Sequence, residues 1–276
     1  MIEQHPSRRP EKVNPYTVCV VGLGTVGMPT AEYVASRGLR VYGYDIVERR
    51  GSVNSTTRWD EVPHDEVDAY VVAVYVGVEE AKSGWSPLHD VCMKISEANP
   101  NALVSVESTV PVGTCRSVAE RFGLKRFVHV PHRYWVEDPI RHGVRQLRVI
   151  GALNRESMEM GMRLYRDLLD IPLHPVSSLE VAEACKIFEN AYRFVQIAFA
   201  EEMKMMCHKV GLDFEEVREA CNTKWNIQIL EARRGIERGC LPKDIRFALM
   251  MDETARILRA AIEADEAYKR WLSTAS

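Results

Sequence analysis

The sequence lacks the patterns that mark several classes of protein. It has no CxxC pair and no cluster of cysteine and histidine residues, so we expect no metal site. No uninterrupted apolar run is long enough to cross a bilayer, so we expect no membrane partner. Acidic residues exceed basic ones only slightly, for a formal net charge of −3, which leaves no basic surface field to attract nucleic acid.

The cysteines and the first residues of the chain bear on where the protein works. The seven cysteines are odd in number and irregularly spaced, which favours reduced thiols over a disulfide framework. Residues 1–13 are polar and lack the apolar centre of a signal peptide, so we expect a flexible leader. These features together predict a cytoplasmic protein.

A strand, a glycine-rich turn and a helix follow one another near the start of the chain. Residues 16–21 read as a buried strand, and Gly22, Gly24 and Gly27 then open a helical pattern. In such a unit the glycines allow a tight turn and the close approach of a pyrophosphate to the helix N-terminus. Asp45 ends the next predicted strand, where a carboxylate would bind the adenosine ribose and favour NAD over NADP. We therefore predict NAD as the cofactor and assign its binding to Gly22, Gly24, Thr25, Val26, Gly27, Asp45, Val74, Ser108 and Thr109.

Strand and helix patterns alternate as far as about residue 175. This alternation predicts an α/β fold, in which a doubly wound parallel sheet forms an NAD-binding Rossmann domain over residues 14–176. After Ser178 the strand patterns stop, and one long helical pattern runs to about Val210 with apolar residues on more than one face. We therefore predict an all-helical substrate and dimerisation domain over residues 177–276, with the long helix joining a homodimer.

A cysteine near the end of the chain stands among positive charges. Cys240 lies between Gly239 and Pro242 on a predicted loop, close to Arg238 and Lys243, whose charges would favour the reactive thiolate. The local sequence alone favours the plainer interpretation, in which the thiol is a small apolar filler.

Four further residues are of types suited to catalysis. Lys186 and Asn190 are four residues apart on the long predicted helix, so an ammonium and an amide share one face and could bind a substrate oxygen. Asp244 could cap the helix that follows it or hold a water. Thr109 follows a predicted strand at the rim of the cleft. Each also has a structural interpretation, as a surface pair, a helix cap or a helix start.

Taken in order, five segments resemble the UDP-glucose/UDP-N-acetylmannosamine dehydrogenase family. The resemblance runs from about residue 16 to about residue 250 and rests on Gly22–Gly27, Ser108–Thr114, Arg148–Gly151, Ala182–Lys186 with Asn190, and Gly239–Asp244. Members oxidise the primary alcohol of a sugar nucleotide to a carboxylate by successive hydride transfers to NAD, through a cysteine thiohemiacetal and thioester. The resemblance implies that Cys240 is the nucleophile and that Lys186 and Asn190 stabilise the developing oxyanion. It also implies that Thr109 and Asp244 position or activate water.

The sequence departs from that family at three places. The family usually has a glutamate implicated in acid–base work after its fifth strand, and here His132 replaces it; a histidine could act as a base near neutral pH. The family's third, nucleotide-binding domain has no counterpart in this sequence, so we expect a shortened form whose substrate is smaller or whose site another polypeptide completes. Arginines replace glycines before the cysteine, and with one beside His132 they suggest an anionic substrate bound by Arg133, Arg233, Arg234 and Arg238.

Two other functions stay open at this point. The β-hydroxyacid dehydrogenases share a similar Lys/Asn pair and two-domain plan, need no cysteine and perform one oxidation. A catalytically silent NAD-binding subunit would keep the fold without turnover, although a scaffold has little physical reason to retain Lys186, Asn190, Cys240 and Asp244 together.

Overall fold

Strands of the first part of the molecule form one sheet. The computed structural model describes residues 16–139, 141–237 and 239–275; the predicted leader and Arg238 lie outside the described residues. The spatial order is β3-β2-β1-β4-β5-β6-β7-β8, and neighbours are parallel except for β6 and β7. The predicted α/β fold is confirmed, with one antiparallel pairing that the prediction did not contain. The strands are β1 Thr17–Val21, β2 Arg40–Tyr44, β3 Ser55–Thr56, β4 Ala69–Val72, β5 Leu103–Val106, β6 Phe127–His129, β7 Arg148–Ala152 and β8 Leu173–Pro175.

Helices cover both faces of this sheet and bury its central strands. Cys19 and Val21 of β1 pack into one core cluster, whereas Val18 and Val20 pack into a second cluster on the opposite face. A strand buried on both faces must be apolar at every position, which is why β1, β4 and β5 read as continuous apolar runs. The helices of this part are α1 Gly27–Ser36, α2 Val78–Ser83, α3 Pro87–Ala98, α4 Thr114–Arg121 and α5 Arg155–Met162, the last continuing as a π-helical turn over Arg163–Leu168.

Helices make up the regular structure of the described residues after β8. The first of them, α6, packs against both α8 and α9. Ser178 caps its N-terminus by accepting a hydrogen bond from the Val181 N–H at 3.3 Å, and Gly211 follows its end at a φ of +74°. Within the described ranges, no helix is both long and apolar enough to cross a membrane. These helices are α6 Leu179–Lys209, α7 Phe214–Asn222, α8 Cys240–Met251 and α9 Arg256–Ala275.

Cys240 begins a helix rather than lying on a loop. Gly239 precedes it at a φ of +122°, which favours glycine. Pro242 fits within the first turn of α8, because the N–H groups there have no helical partner. The suggestion that Asp244 caps a following helix is therefore wrong, since this residue already lies inside α8.

A buried carboxylate joins α6 to the part that contains the sheet. Glu183 accepts hydrogen bonds from the backbone N–H groups of Gly113 at 2.6 Å and Cys115 at 2.7 Å, at the N-terminus of α4. Burial raises the pKa of Glu183 to about 7, although the hydrogen bonds from these two N–H groups lower it. Because Glu183 and Lys186 are three residues apart on one helix, this contact also sets where Lys186 lies relative to the segment after β5.

Candidate active site

The glycine-rich turn between β1 and α1 combines two crowded positions with one open position. A Cβ on Gly22, whose φ is +89°, would lie 2.7 Å from the Ala73 carbonyl oxygen, and a Cβ on Gly27 would lie 1.7 Å from the Gly22 oxygen. Neither position admits a side chain. A Cβ on Gly24 would meet no atom within 4 Å, so the backbone there faces open space that a ligand could approach.

Asp45 is held in a defined orientation at the end of β2. Its carboxylate accepts hydrogen bonds from the Leu23 N–H at 2.8 Å, the Val47 N–H at 3.0 Å and Arg49 Nε at 3.3 Å. A cleft of about 260 Å³ opens beside it, between the glycine turn and β3. The carboxylate therefore faces the space that an adenosine ribose occupies in dinucleotide-binding folds.

The remaining cofactor candidates lie at the same edge of the sheet. Thr25 and Val26 immediately precede α1, and Val74 lies against the first glycine of the turn. Ser108 and Thr109 follow β5, and the Ser108 hydroxyl donates a hydrogen bond to the last carbonyl of β4 at 3.4 Å. The structure thus brings these five residues to the carboxyl ends of neighbouring parallel strands.

A hydrogen bond between two helices assembles part of the second candidate cluster. Asn190 Nδ2 of α6 donates to Asp244 Oδ2 of α8 at 2.5 Å. Asp244 is fully buried, and Lys243 Nζ lies 2.7 Å from its other oxygen and 4.3 Å from the centre of the Phe247 ring. Cys240 is exposed and lies one helical turn before Asp244, so the two residues share a face of α8.

Lys186 lies one turn before Asn190 on α6. Its side chain is half-buried and makes no hydrogen bond or ion pair with the described residues. Its positive charge lies close enough to His132 to lower the pKa of that imidazole. Lys186 therefore offers a cation near the segment that follows β6, without a described carboxylate to neutralise it.

A buried network that the sequence analysis did not identify lies beneath the carboxyl edge of the sheet. Arg148 and Glu107 are fully buried and joined by a 2.6 Å contact between Nη1 and Oε1. The Tyr165 hydroxyl donates to the same Glu107 oxygen at 2.8 Å, and the Thr30 hydroxyl donates to the other at 3.3 Å. An arginine within a buried strand was the signal that could have revealed this network, since such a charge requires a partner.

His132 belongs to this network. Its Nδ1 accepts the Tyr134 N–H at 2.8 Å, and its Nε2 lies 2.9 Å from Arg148 Nη2. Burial, followed by the positive charges of Arg148 and Lys186, lowers the pKa of His132 well below its usual value. The sequence suggested that His132 could act as a base near neutral pH, but both ring nitrogens are engaged within the protein. This placement favours a positioning role for His132.

The first of the predicted substrate arginines, Arg133, already has an acidic partner. Arg133 is paired with Glu189 of α6, with Nε 3.2 Å from Oε2, and its Nη1 donates to the Leu147 carbonyl at 2.7 Å. Its charge is therefore largely neutralised.

The arginines before Cys240 differ from one another. Arg233 pairs with Glu231 at 2.8 Å on the surface. Arg234 is exposed and pairs with no acid among the described residues. Arg238 lies outside them. Among the described arginines before Cys240, Arg234 is therefore the one available to bind an anion.

Comparison with known proteins identifies relatives along most of the chain. A model of the UDP-glucose/GDP-mannose dehydrogenase family, central domain, matches residues 180–267. The UDP-N-acetyl-D-mannosamine dehydrogenase of Methanococcus maripaludis is 26% identical over 280 residues, covering 90% of this chain and 65% of that protein. The NDP-N-acetyl-D-galactosaminuronic acid dehydrogenase of Ralstonia nicotianae is 28% identical over 291 residues, covering 91% and 69%. This chain thus spans about two thirds of the length of these curated relatives.

A solved structure of a related enzyme superposes on most of the chain. The UDP-D-ManNAc dehydrogenase from Pyrococcus horikoshii superposes with a TM-score of 0.82 at 25% identity, covering 94% of this chain and 70% of that one. Both the sheet-bearing part and the helices after it fall within the matched region. The chain is thus similar to nucleotide-sugar dehydrogenases over most of its length, and its residues 180–267 match the central domain of the UDP-glucose/GDP-mannose dehydrogenase family.

Proposed function

We propose that this protein catalyses the NAD-dependent oxidation of a primary alcohol of a nucleotide sugar, or of another anionic sugar or nucleoside, toward a carboxylate. The Asn190–Asp244 hydrogen bond carries the proposal, because it joins the helix that bears Lys186 to the helix that begins at Cys240. The relatives' names, which specify UDP- and NDP-linked amino sugars, support a substrate of this class.

The residues at the glycine turn suit NAD. Gly24 and the free N–H groups at the start of α1 would face the pyrophosphate, and Asp45 would accept hydrogen bonds from the ribose hydroxyls. Arg49 is already paired with Asp45, which leaves the local charge unfavourable to the additional phosphate of NADP. When bound, NAD would accept the hydride that leaves the substrate carbon in each oxidation.

Cys240 would act as the nucleophile. It lies at the N-terminus of α8, where the helix dipole favours an anion. Its thiolate would attack the aldehyde carbon, forming a C–S bond and leaving negative charge on the former carbonyl oxygen. The Lys186 ammonium and the second N–H of the Asn190 amide would stabilise that oxyanion, and oxidation of the thiohemiacetal would yield a thioester.

Asp244 would assist hydrolysis of the thioester, with Thr109 helping to position the water. Its Oδ1 is buried beside Lys243 Nζ at 2.7 Å, and a carboxylate oxygen has a second lone pair that could bind a water next to that ammonium. Attack by that water would break the C–S bond and release Cys240 as a thiolate, with the water's proton passing toward Asp244. We propose that His132 instead holds the segment after β6 in place.

We also propose that α6 forms a homodimer in a reducing, cytoplasmic compartment. The seven cysteines are all free. Large apolar side chains are exposed along α6 at helical spacing, which a second copy of α6 would cover: Phe188, Tyr192, Phe199, Met206 and Val210.

The Phe199→Asp variant should lose this dimer. Phe199 is 50% exposed in the single chain, and an aspartate would have to be buried, without a partner, in the proposed interface. We expect the mass by light scattering to fall from twice the 31.4 kDa of the chain to that of one chain. The matched control, Ile257→Asp on the exposed face of α9, should stay dimeric. An unchanged mass for Phe199→Asp would contradict the interface.

The number of NADH molecules formed per substrate tests the proposed chemistry. We expect two per molecule of substrate when the protein and NAD are supplied with a panel of sugar nucleotides, sugar phosphates and nucleosides, measured by absorbance at 340 nm. One per substrate would indicate a single oxidation, as in the β-hydroxyacid dehydrogenases. No NADH across the panel, with NAD binding established by calorimetry, would indicate a silent subunit.

A further inference from the structure

Side chains of α6 and α9 bind the segment that precedes Cys240. None of these side chains belongs to the proposed catalytic set. We call residues 232–237 the approach segment. At its start, Tyr268 of α9 donates its hydroxyl to the carbonyl oxygens of Ala232 at 3.3 Å and Arg233 at 2.9 Å. Lys204 of α6 donates to the same Ala232 oxygen at 3.0 Å.

Farther along, one ion pair of α9 binds both peptide groups of Ile236. The Ile236 N–H donates to Asp265 Oδ1 at 2.7 Å, and the Ile236 carbonyl accepts from Lys269 Nζ at 2.7 Å. Lys269 Nζ also lies 2.7 Å from Asp265 Oδ2. Gly235 passes so close that a Cβ there would lie 2.7 Å from the Lys269 methylenes. The approach segment is therefore attached to this pair over consecutive residues.

A third charged residue faces the pair from α6. Glu201 is fully buried, and its carboxyl oxygens accept no hydrogen bond among the described residues. Burial, followed by the negative charge of Asp265, raises the pKa of Glu201 to about 8, and the positive charge of Lys269 opposes this. At neutral pH, Glu201 is therefore mostly protonated, and Asp265 is the carboxylate that pairs with Lys269.

The other ionisable groups around Glu201 add no further charge that would pair with it. Tyr268 lies beside it on α9, and burial, the negative charge of Glu201 and that of Glu215 on α7 raise the pKa of this tyrosine, so it stays neutral. Lys204, on the same helix as Glu201, is engaged with the carbonyl of the approach segment.

We propose that Glu201, Asp265 and Lys269 are positioning residues that hold the approach segment, and with it Cys240, and that ionisation of Glu201 loosens this hold. Two buried carboxylates would then compete for one ammonium, at the expense of the bond between Lys269 and the Ile236 carbonyl. The effect of these contacts on catalysis rests on the function proposed above. The contacts themselves do not depend on it.

Trypsin cleavage after Arg233 and Arg234 tests this proposal without any substrate. Cleavage at these two bonds would be followed by mass spectrometry at pH 7 and pH 9, and normalised to a reference peptide at each pH. In the wild type we expect the rate to rise up to about tenfold, because the ionised fraction of a group with a pKa of about 8 rises about tenfold over this range.

The Glu201→Gln variant should show no such rise, since the amide keeps the size of the side chain but cannot ionise. Its matched control is Glu202→Gln, which changes the exposed neighbour and should behave as the wild type. A second pair compares Asp265→Asn, expected to cleave faster than the wild type at pH 7, with Glu266→Gln on the exposed face of α9, expected to be unchanged.

The outcomes separate this proposal from the proposed function. Absence of alcohol oxidation together with a flat Glu201→Gln profile would reject the dehydrogenase reaction and keep the positioning set. A pH-dependent rise in Glu201→Gln equal to that of the wild type would overturn the positioning set, whatever the enzyme activity.

Discussion

Replacing Cys240 by serine is expected to abolish formation of the acid product, with a loss of at least about 10³-fold in its rate. A serine hydroxyl is not ionised at neutral pH, and Cys240 has no described histidine or carboxylate hydrogen-bonded to it that could activate a hydroxyl in its place. The measurement is the steady-state rate of acid formation with excess NAD and the substrate identified by the NADH panel.

The matched control is Cys221→Ser. Cys221 is the other exposed cysteine of the helical part and lies on α7 rather than α8. It should retain the wild-type rate, which would show that thiol loss as such does not inactivate the protein. A wild-type rate for Cys240→Ser would reject the covalent route and favour the single oxidation of a β-hydroxyacid dehydrogenase.

Replacing Arg148 by methionine is expected to lower the free energy of unfolding by about 3–5 kcal/mol, because it leaves the Glu107 carboxylate buried without its cation. This loss is a large part of the total stability of an ordinary domain, about 5–15 kcal/mol. Urea unfolding followed by circular dichroism would measure it.

Two further variants show whether the buried charge is the cause. Arg145→Met breaks a surface pair with Asp170, both more than half exposed, and should cost at most about 1 kcal/mol. The double variant Glu107→Gln with Arg148→Met should recover part of the loss, because the carboxylate no longer stays unpaired. A loss for Arg148→Met no larger than that for Arg145→Met would contradict the proposed contribution of the buried pair.

Local patterns predicted much of the fold. The long helix predicted from Ser178 to about Val210 corresponds to α6, Leu179–Lys209. The edge strands β3 and β8 were not predicted. They have two and three residues, which is too short for a periodic pattern. The start of α8 was missed because Gly239 and Pro242 are typical of loops, although proline is tolerated in a first helical turn.

The candidate site also has a part that could be predicted from the sequence and a part that could not. Sequence patterns were sufficient to predict the glycine turn, the placement of Asp45 after β2, and the pairs Lys186 with Asn190 and Cys240 with Asp244. Each of these depends on spacing within one strand, turn or helix.

Contacts between distant parts of the sequence could not be predicted in this way, because they depend on the tertiary fold. The bond from Asn190 to Asp244 joins positions 54 residues apart, and that from Arg148 to Glu107 joins positions 41 apart. The same is true of Asp265 and the Ile236 peptide, 29 residues apart. Such contacts depend on how helices cross and how strands align. Burial then determines which charged groups require a partner. A local periodic pattern encodes neither the packing nor the burial.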